Sequence, residues 1–407
     1  MIVIQILFTC LAVYLTFYSL YWLCLTLIGF THRSSSYKTV STNTPEILLI
    51  LPAYQPSERF LDVLDALPKA IKNRNIKVLV LLQDADERYF HYSSSKGFIT
   101  IQKSFSHLAG NSYQHALRFI TQWIEEQRMR GACHPEFVML IDKDNVIAPD
   151  FFDQIAPYQF DQFDILQGAR RSVSTSTTVA FFDHLSERLN DLLYRSAKEK
   201  AHLLMEISGS GALIETDLFV RCIHQLDLHA PGFDKNFMVQ LLTQARPVKA
   251  TFLPHCVVTE EKTSSIENHN PQRIRWFGEQ YYNAIHHAGT LLRAAIQYRR
   301  ISALDYWITL CRPPRSIQVV ISPILCLAEC VYYWNMNEWP VGLPLFSLSW
   351  MILLMAILAF LVHEQALLKA TRSIGSLIKL AYCNFFNAIK SVRAENKGKF
   401  IHTTHHL

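Results

Sequence analysis

The stretch Phe137-Val-Met-Leu-Ile-Asp-Lys-Asp-Asn-Val-Ile-Ala-Pro-Asp-Phe-Phe152 decides the fold. Its apolar run, Phe137 to Ile141, stops abruptly at two acids, Asp142 and Asp144, one residue apart. A short apolar run bounded by polar residues reads as a strand buried on both faces. In open α/β sheets ligands bind beyond the carboxyl ends of such strands. Two carboxylates there repel each other unless something positive lies between them, and a hard cation with oxygen ligands is the usual answer. That cation could hold a diphosphate. The plainer alternative is a solvated turn followed by a helix N-cap at Asp150, and an Asp-x-Asp by itself does not separate the two.

Working outward, the 407 residues are 50% hydrophobic, which allows one large domain with apolar segments outside it. Met1 to Phe30 contains no Asp, Glu, Lys or Arg. A helix of that length reaches ~45 Å, more than the roughly 30 Å of a bilayer's hydrocarbon core, so a span is expected. The basic start, shorter apolar stretch and small-residue cleavage site of a signal peptide are not seen. Two further spans fit 316–335, whose only charge is Glu329, and 341–362, which has none. Arg33 and Lys38 follow the first span, Arg299, Arg300, Arg312 and Arg315 precede the second, and further Lys and Arg follow the third. By the positive-inside rule the middle of the chain and the C-terminus belong in the cytoplasm, with the N-terminus and the Trp339 loop outside.

The expected organisation is therefore an N-terminal span over 1–30, a cytoplasmic domain over 45–278, interfacial amphipathic helices over 279–315, the two later spans, and a basic amphipathic tail over 363–407. Within these, Tyr281 to Arg300 and Leu367 to Arg393 mix apolar residues at helical spacing with Lys and Arg. That is the pattern of interfacial helices, and also of helices packed on a catalytic domain. None of the nine cysteines forms a Cys-x-x-Cys pair, which fits small hydrophobes in a reducing compartment. The net charge of +5 is modest and no basic and aromatic interleaving suggests nucleic acid. One acid in three spans, and no broken helix, also gives no midplane substrate site for a transporter.

Between the first two spans the pattern alternates. Glu46 to Tyr54 reads as a strand ending at Pro52, and Ser57 is placed to cap a helix running to about Lys72. Lys77 to Gln83 is a strand ending at a second acid pair, Asp84 and Asp86. Strands at Phe98 to Gln102 and Asp164 to Gln167, helices at Ser112 to Arg130 and Thr178 to Met205, a helix from Asp234 and a strand at Val248 to Leu253 complete a mainly parallel α/β sheet with helices on both faces. Gly209-Ser-Gly211 permits close backbone approach to a ligand, or makes a plain turn. Gln272 shares a helical face with Arg275 and Trp276, and a guanidinium beside an indole suits a diphosphate next to a ring, or an anchor at the membrane surface.

In this order, Pro52-Ala-Tyr54, Asp84, Asp142-Lys-Asp144, Gly209-Ser-Gly-Ala212, Asp234 and Gln272-x-x-Arg275-Trp276, with spans on either side, resemble the membrane-embedded family 2 glycosyltransferases, which include the cellulose and hyaluronan synthases. The likeness covers about Ile47 to Trp276 and implies a GT-A fold. It implies that Pro52, Ala53 and Tyr54 line the nucleotide pocket, that Asp84 meets a uracil, and that Asp142 and Asp144 bind Mg2+ or Mn2+. Gly209, Ser210, Gly211 and Ala212 would border the acceptor, joined there by Gln272 and Trp276. Asp234 would be the general base, with Arg275 neutralising the diphosphate. The implied partners are a nucleotide-sugar donor, a polysaccharide or glycolipid acceptor and the bilayer. Departures are Gln55-Pro56 after the Pro-Ala-Tyr, Gly110-Asn111 where the family has Gly-Lys, and Phe233 in place of a Glu before the base. A non-processive transferase to a lipid phosphate carrier and an inactive scaffold remain as alternatives. So does a homo-oligomer or export partner, because three spans are few for a polymer channel.

Overall fold

The computed structural model describes residues 2–31, 44–72, 74–260 and 266–392. Among them, strands β1 (Ile47–Tyr54), β2 (Ile76–Gln83), β3 (Ile99–Gln102), β4 (Phe137–Leu140), β5 (Val146–Ile147), β6 (Ile165–Ser172), β7 (Ala212–Glu215) and β8 (Ala250–Glu260) hydrogen-bond into one sheet. The order is β3-β2-β1-β4-β7-β6-β8-β5. Pairing is parallel from β3 through β4 and between β6 and β8, and antiparallel where β7 joins β4 to β6 and where β5 joins β8. Strand alternation explains why both faces are covered. Leu48 and Ile50 point into one core with the Ser112–Met129, Thr216–His224 and Phe233–Leu242 helices, while Ile47, Leu49 and Leu51 point into the other with the Arg59–Ile71 helix. All parallel strands of the first half end on one edge, and Asp142 and Asp144 follow β4 there.

Several boundaries differ from the sequence reading. β1 continues past Pro52 to Tyr54, because Gln83 of β2 still pairs with Tyr54. Ser57 offers only its carbonyl, to the Phe60 N–H, and the cap position is Glu58 with no side-chain bond. The helix expected over Thr178 to Met205 is α-helical to Asn190, π-helical over Asp191–Ala197, and ends at Lys200 before His202 in the left-handed region (φ 57°). Arg33, Lys38 and the tail beyond residue 392 lie outside the described residues.

Among the described residues three helices are long and apolar enough to cross a membrane: Gln5–Phe30, Arg315–Met336 and Leu345–His363. The first fastens the sheet domain through one stripe of hydroxyls. Tyr14, Tyr18 and Tyr21, at helical spacing, donate to Cys311 O (2.8 Å), Ile308 O (2.7 Å) and Asp305 Oδ1 (2.7 Å) at the Ile301–Leu310 helix. Asp305 in turn meets Lys198, a fully buried ammonium, at 2.8 Å. Glu329, the acid of the second apolar segment, has a structural task. Its carboxylate accepts from the Phe346 N–H (3.1 Å), the Ser347 N–H (2.7 Å) and the Ser347 hydroxyl (2.6 Å), capping the otherwise unsatisfied N-terminus of the Leu345–His363 helix.

The two mixed stretches pack inward and leave apolar rows outside. Leu291 and Ala294 of the Ala288–Gln297 helix join the main core, while Ile285, Ile296 and Ile301 are exposed. The Ile374–Ser391 helix buries Leu380, Ala381, Asn384 and Asn387 and exposes Ile374, Ile378, Tyr382, Phe385 and Ile389.

Candidate active site

At the carboxyl end of β4 three acids converge from different parts of the chain. Burial pushes the Asp142 carboxyl up to about 7; Arg170 and Arg275 oppose this, and the neighbouring charges of Asp144 and Asp234 add to it. Lys143, between the two acids in sequence, turns away: its ammonium donates to Tyr54 O (2.6 Å) and Gln55 O (3.1 Å). The loop is held from below by Ser210, whose hydroxyl accepts from the Asn145 amide (2.8 Å) and the Asp142 N–H (3.3 Å).

Asp234 sits in the first turn of the Phe233–Leu242 helix. Its carboxyl is also raised, chiefly by burial and further by Glu279, while Lys235, Arg170 and a hydrogen bond from the Gly209 backbone pull it down. Glycine is required on both sides of it. A Cβ at Gly209 would stand 2.6 Å from Asp234 Oδ1, and Gly232 has φ +79° with a would-be Cβ 2.9 Å from the Glu279 side chain. The helix carrying Gln272 to Trp276 can therefore close against Asp234. There Glu279 meets Lys235 at 3.3 Å and Arg275 at 3.6 Å. Phe233 packs its ring on Tyr113 (5.5 Å) and Phe237 (5.3 Å).

A cavity of about 700 Å³ joins these groups. Pro52, Tyr54, Asp142, Asp144, Asp234, Gln272, Arg275 and Trp276 all line it, so eight of the residues singled out from sequence share one space. Others do not face it. Ala53 is fully buried in the second core. Asp84 is exposed and left-handed (φ 46°) at the end of β2, and Gln83 beside it lines the wall. Ser210 is fully buried under the acid loop, Gly211 is spent on backbone bonds to Leu140 O (3.0 Å) and from Gly168 N (2.9 Å), and Ala212 starts β7. The guanidinium over the Trp276 ring is that of Arg273 (4.5 Å), which is ion-paired with Asp183, and not that of Arg275.

Sequence reasoning missed Arg170, which lies at the end of β6 within electrostatic range of Asp142, Asp144 and Asp234 and is ion-paired with Glu260. Its signal was a basic residue at a strand end in Gln167-Gly-Ala-Arg-Arg171. The donor set suits a divalent cation in part. Among the described residues no three His, Cys, Asp or Glu stand close enough together to hold a metal ion by themselves, but Asp142 and Asp144 supply two hard oxygen donors, and Mg2+ sites of this kind take the rest from phosphate and water.

A model of the family described as glycosyltransferase-like family 2 matches residues 45–279, more than half of the chain. The chain belongs to that family. Its fold agrees: the structure is similar to a mannosyltransferase from Pyrobaculum calidifontis solved with GDP-Man and Mn2+, at 14% identity and a TM-score of 0.57, covering 96% of this chain and 99% of that one. Glucosyl-3-phosphoglycerate synthase from Mycobacterium tuberculosis, solved with Mn2+, UDP and phosphoglyceric acid, is similar at 14% identity over 57% of this chain and 76% of its own, with a TM-score of 0.36 too low to bear on the fold. A stretch of 189 residues is 23% identical to CTP synthase of Hydrogenobaculum sp. (strain Y04AAS1); it spans 45% of this chain and 32% of that enzyme, about a third of its length.

For this transferase, the contact between Gly209 and Asp234 is directly testable. Gly209→Ala places a methyl 2.6 Å from Asp234 Oδ1, so the carboxylate must shift and sugar transfer should fall roughly 10²-fold, the scale of a ~1 Å misplacement, with thermal unfolding little changed. Wild-type turnover in that variant would show that the carboxylate does not need its present position.

Proposed function

We propose that the transferase moves a sugar, with inversion, from a nucleotide sugar to a hydroxyl of a lipid-borne glycan at the membrane surface. What supports the acceptor class is the cavity itself. One wall carries Asp142, Asp144 and Asp234, and another carries Leu353, Ala356 and Phe360 of a membrane-length helix. A saccharide sits between Trp276 and the base while its lipid stays in the bilayer. The family resemblance favours a UDP-sugar as donor, and because Asp84 does not face the cavity GDP-sugars are the natural comparison.

In this reaction the acceptor oxygen bonds to the anomeric carbon as the bond from that carbon to the phosphate oxygen breaks. The hydroxyl proton passes to Asp234, and the nucleoside diphosphate leaves. A raised carboxyl pKa strengthens Asp234 as a base once it is ionised, and Arg170 and Lys235 favour the ionised form. Arg275 faces the diphosphate. Asp142 and Asp144 would hold Mg2+ or Mn2+, which when bound neutralises charge on the leaving group.

The experiment is nucleoside diphosphate binding by calorimetry beside transfer from a screen of labelled UDP- and GDP-sugars. Asp234→Asn should lose transfer by about 10²-fold or more and keep nucleotide affinity. Arg275→Ala should lose both, by about 1–3 kcal/mol in binding. Chelator and Asp144→Asn should each remove nearly all turnover. Transfer that survives in Asp234→Asn would move the base to another acid or favour a scaffold role.

We infer further that the N-terminus and the Trp339 loop face outward and the sheet domain faces the cytoplasm, from the asymmetry of Lys and Arg. A cysteine introduced at Asn337 should react with an impermeant thiol reagent in intact cells and one at Asn396 should not; the reverse pattern reverses the topology.

A further inference from the structure

Six arginines line the cavity: Arg170, Arg195, Arg273, Arg275, Arg312 and Arg315. Five have a carboxylate within reach. Arg170 meets Glu260, Arg195 meets Glu187 and Asp191, Arg273 meets Asp183, Arg275 meets Glu279 at 3.6 Å, and Arg312 meets Glu206 at 4.0 Å. Arg315 has none among the described residues. Its Nη2 donates to Ser186 Oγ (2.9 Å) and Asn190 Oδ1 (2.8 Å), both neutral, and its Nη1 is shielded from solvent with no hydrogen-bond partner. Of the carboxylates only the more distant charge of Glu187 acts on it, and a sequestered guanidinium with no ion-paired carboxylate and an incomplete set of acceptors is costly unless a ligand supplies them. Two neutral acceptors fix the orientation of the fork and leave its other edge open.

The position narrows the ligand. Arg315 is the first residue of the Arg315–Met336 helix, one of the three of membrane length. Val319 one turn on, and Leu353, Ala356, Ile357 and Phe360 of the next such helix, line the same cavity. Arg315 is not among the charges that act on Asp142 or Asp234, whereas Arg170 acts on both and Arg275 on Asp142. The donor acids thus have their own cations, and Arg315 stands apart from them beside an apolar wall.

We propose that Arg315 binds the phosphate or diphosphate of a long-chain lipid, so that the acceptor is a lipid phosphate ester with its saccharide at Asp234 and its chain along the Leu353–Phe360 face. This rests on the proposed function and adds the chemical class of the acceptor's head group. A forked guanidinium suits a tetrahedral phosphate, and a sequestered charge without an ion pair is expected to have a functional partner.

The test uses the full chain in detergent, with farnesyl diphosphate, farnesol, inorganic pyrophosphate, UDP and GDP as probes in a binding assay, and thermal unfolding as the control for folding. Wild type should bind farnesyl diphosphate more tightly than pyrophosphate or farnesol. Arg315→Gln should weaken farnesyl diphosphate by about tenfold or more, the scale of one lost charge-assisted bond, with nucleotide affinity unchanged. Arg315→Lys covers the case in which the glutamine variant fails to fold: it keeps the charge but loses the fork, and a severalfold weakening is expected. Unchanged farnesyl diphosphate affinity in the variant that folds overturns the proposal. Equal loss of nucleotide binding assigns Arg315 to the donor, and pyrophosphate binding as tight as farnesyl diphosphate leaves an anion site without a lipid; either outcome also overturns it. Failure of the wild type to bind UDP or GDP would count against the proposed function instead.

Discussion

The arrangement depends on the crowding of like charge at one edge of the sheet. Asp142, Asp144 and Asp234 are brought together by strand geometry and a helix N-terminus, in surroundings that disfavour charge on Asp142 and Asp234. Nothing in a bare fold gains from such a cluster, so the surroundings must offset it. Arg170 approaches from β6 and Arg275 from the Ile266–His286 helix. This leaves a site poised for a ligand that carries negative charge in one part and a cation in another.

Holding the cluster takes close backbone approach as well as the hydrogen bonds of Ser210 beneath the acid loop. Gly209 lets Asp234 rest against the strand connection, and Gly232 lets Glu279 reach the turn that carries Asp234. The membrane-length helices are tied in by different means. Three tyrosines of the first helix grip the Ile301–Leu310 helix, and Lys198 draws Asp305 to the π-helical segment. The chemistry and the apolar wall of the cavity are thus held in one frame.

Much of this was legible in the sequence, because strands buried on both faces and uninterrupted apolar helices leave strong patterns. The acid pair after Phe137 to Ile141, Asp234, Gln272, Arg275 and Trp276 were legible as a group only through their order along the chain. What could not be read depended on which way a side chain turns. Ala53 and Ser210 sit within motifs yet point into the core or beneath a loop. Arg273 and not Arg275 covers Trp276, because adjacent helical residues lie about 100° apart and Asp183 pulls the former over the indole. Phe233 read as a lost acid, and the structure shows an aromatic cluster in its place, with Glu279 supplying a carboxylate from a distant helix. Ser57 failed as a cap because the chain turns helical only after Glu58.

The proposed reaction is a single displacement in which Asp234 takes the acceptor proton while the diphosphate departs on the opposite side of the sugar. The anomeric configuration of the product tests it most directly, read from the anomeric proton coupling in an NMR spectrum of the glycoside formed from an α-linked nucleotide sugar. A single displacement gives a β-linked product. An α-linked product would mean retention, and with it a different chemistry at this site.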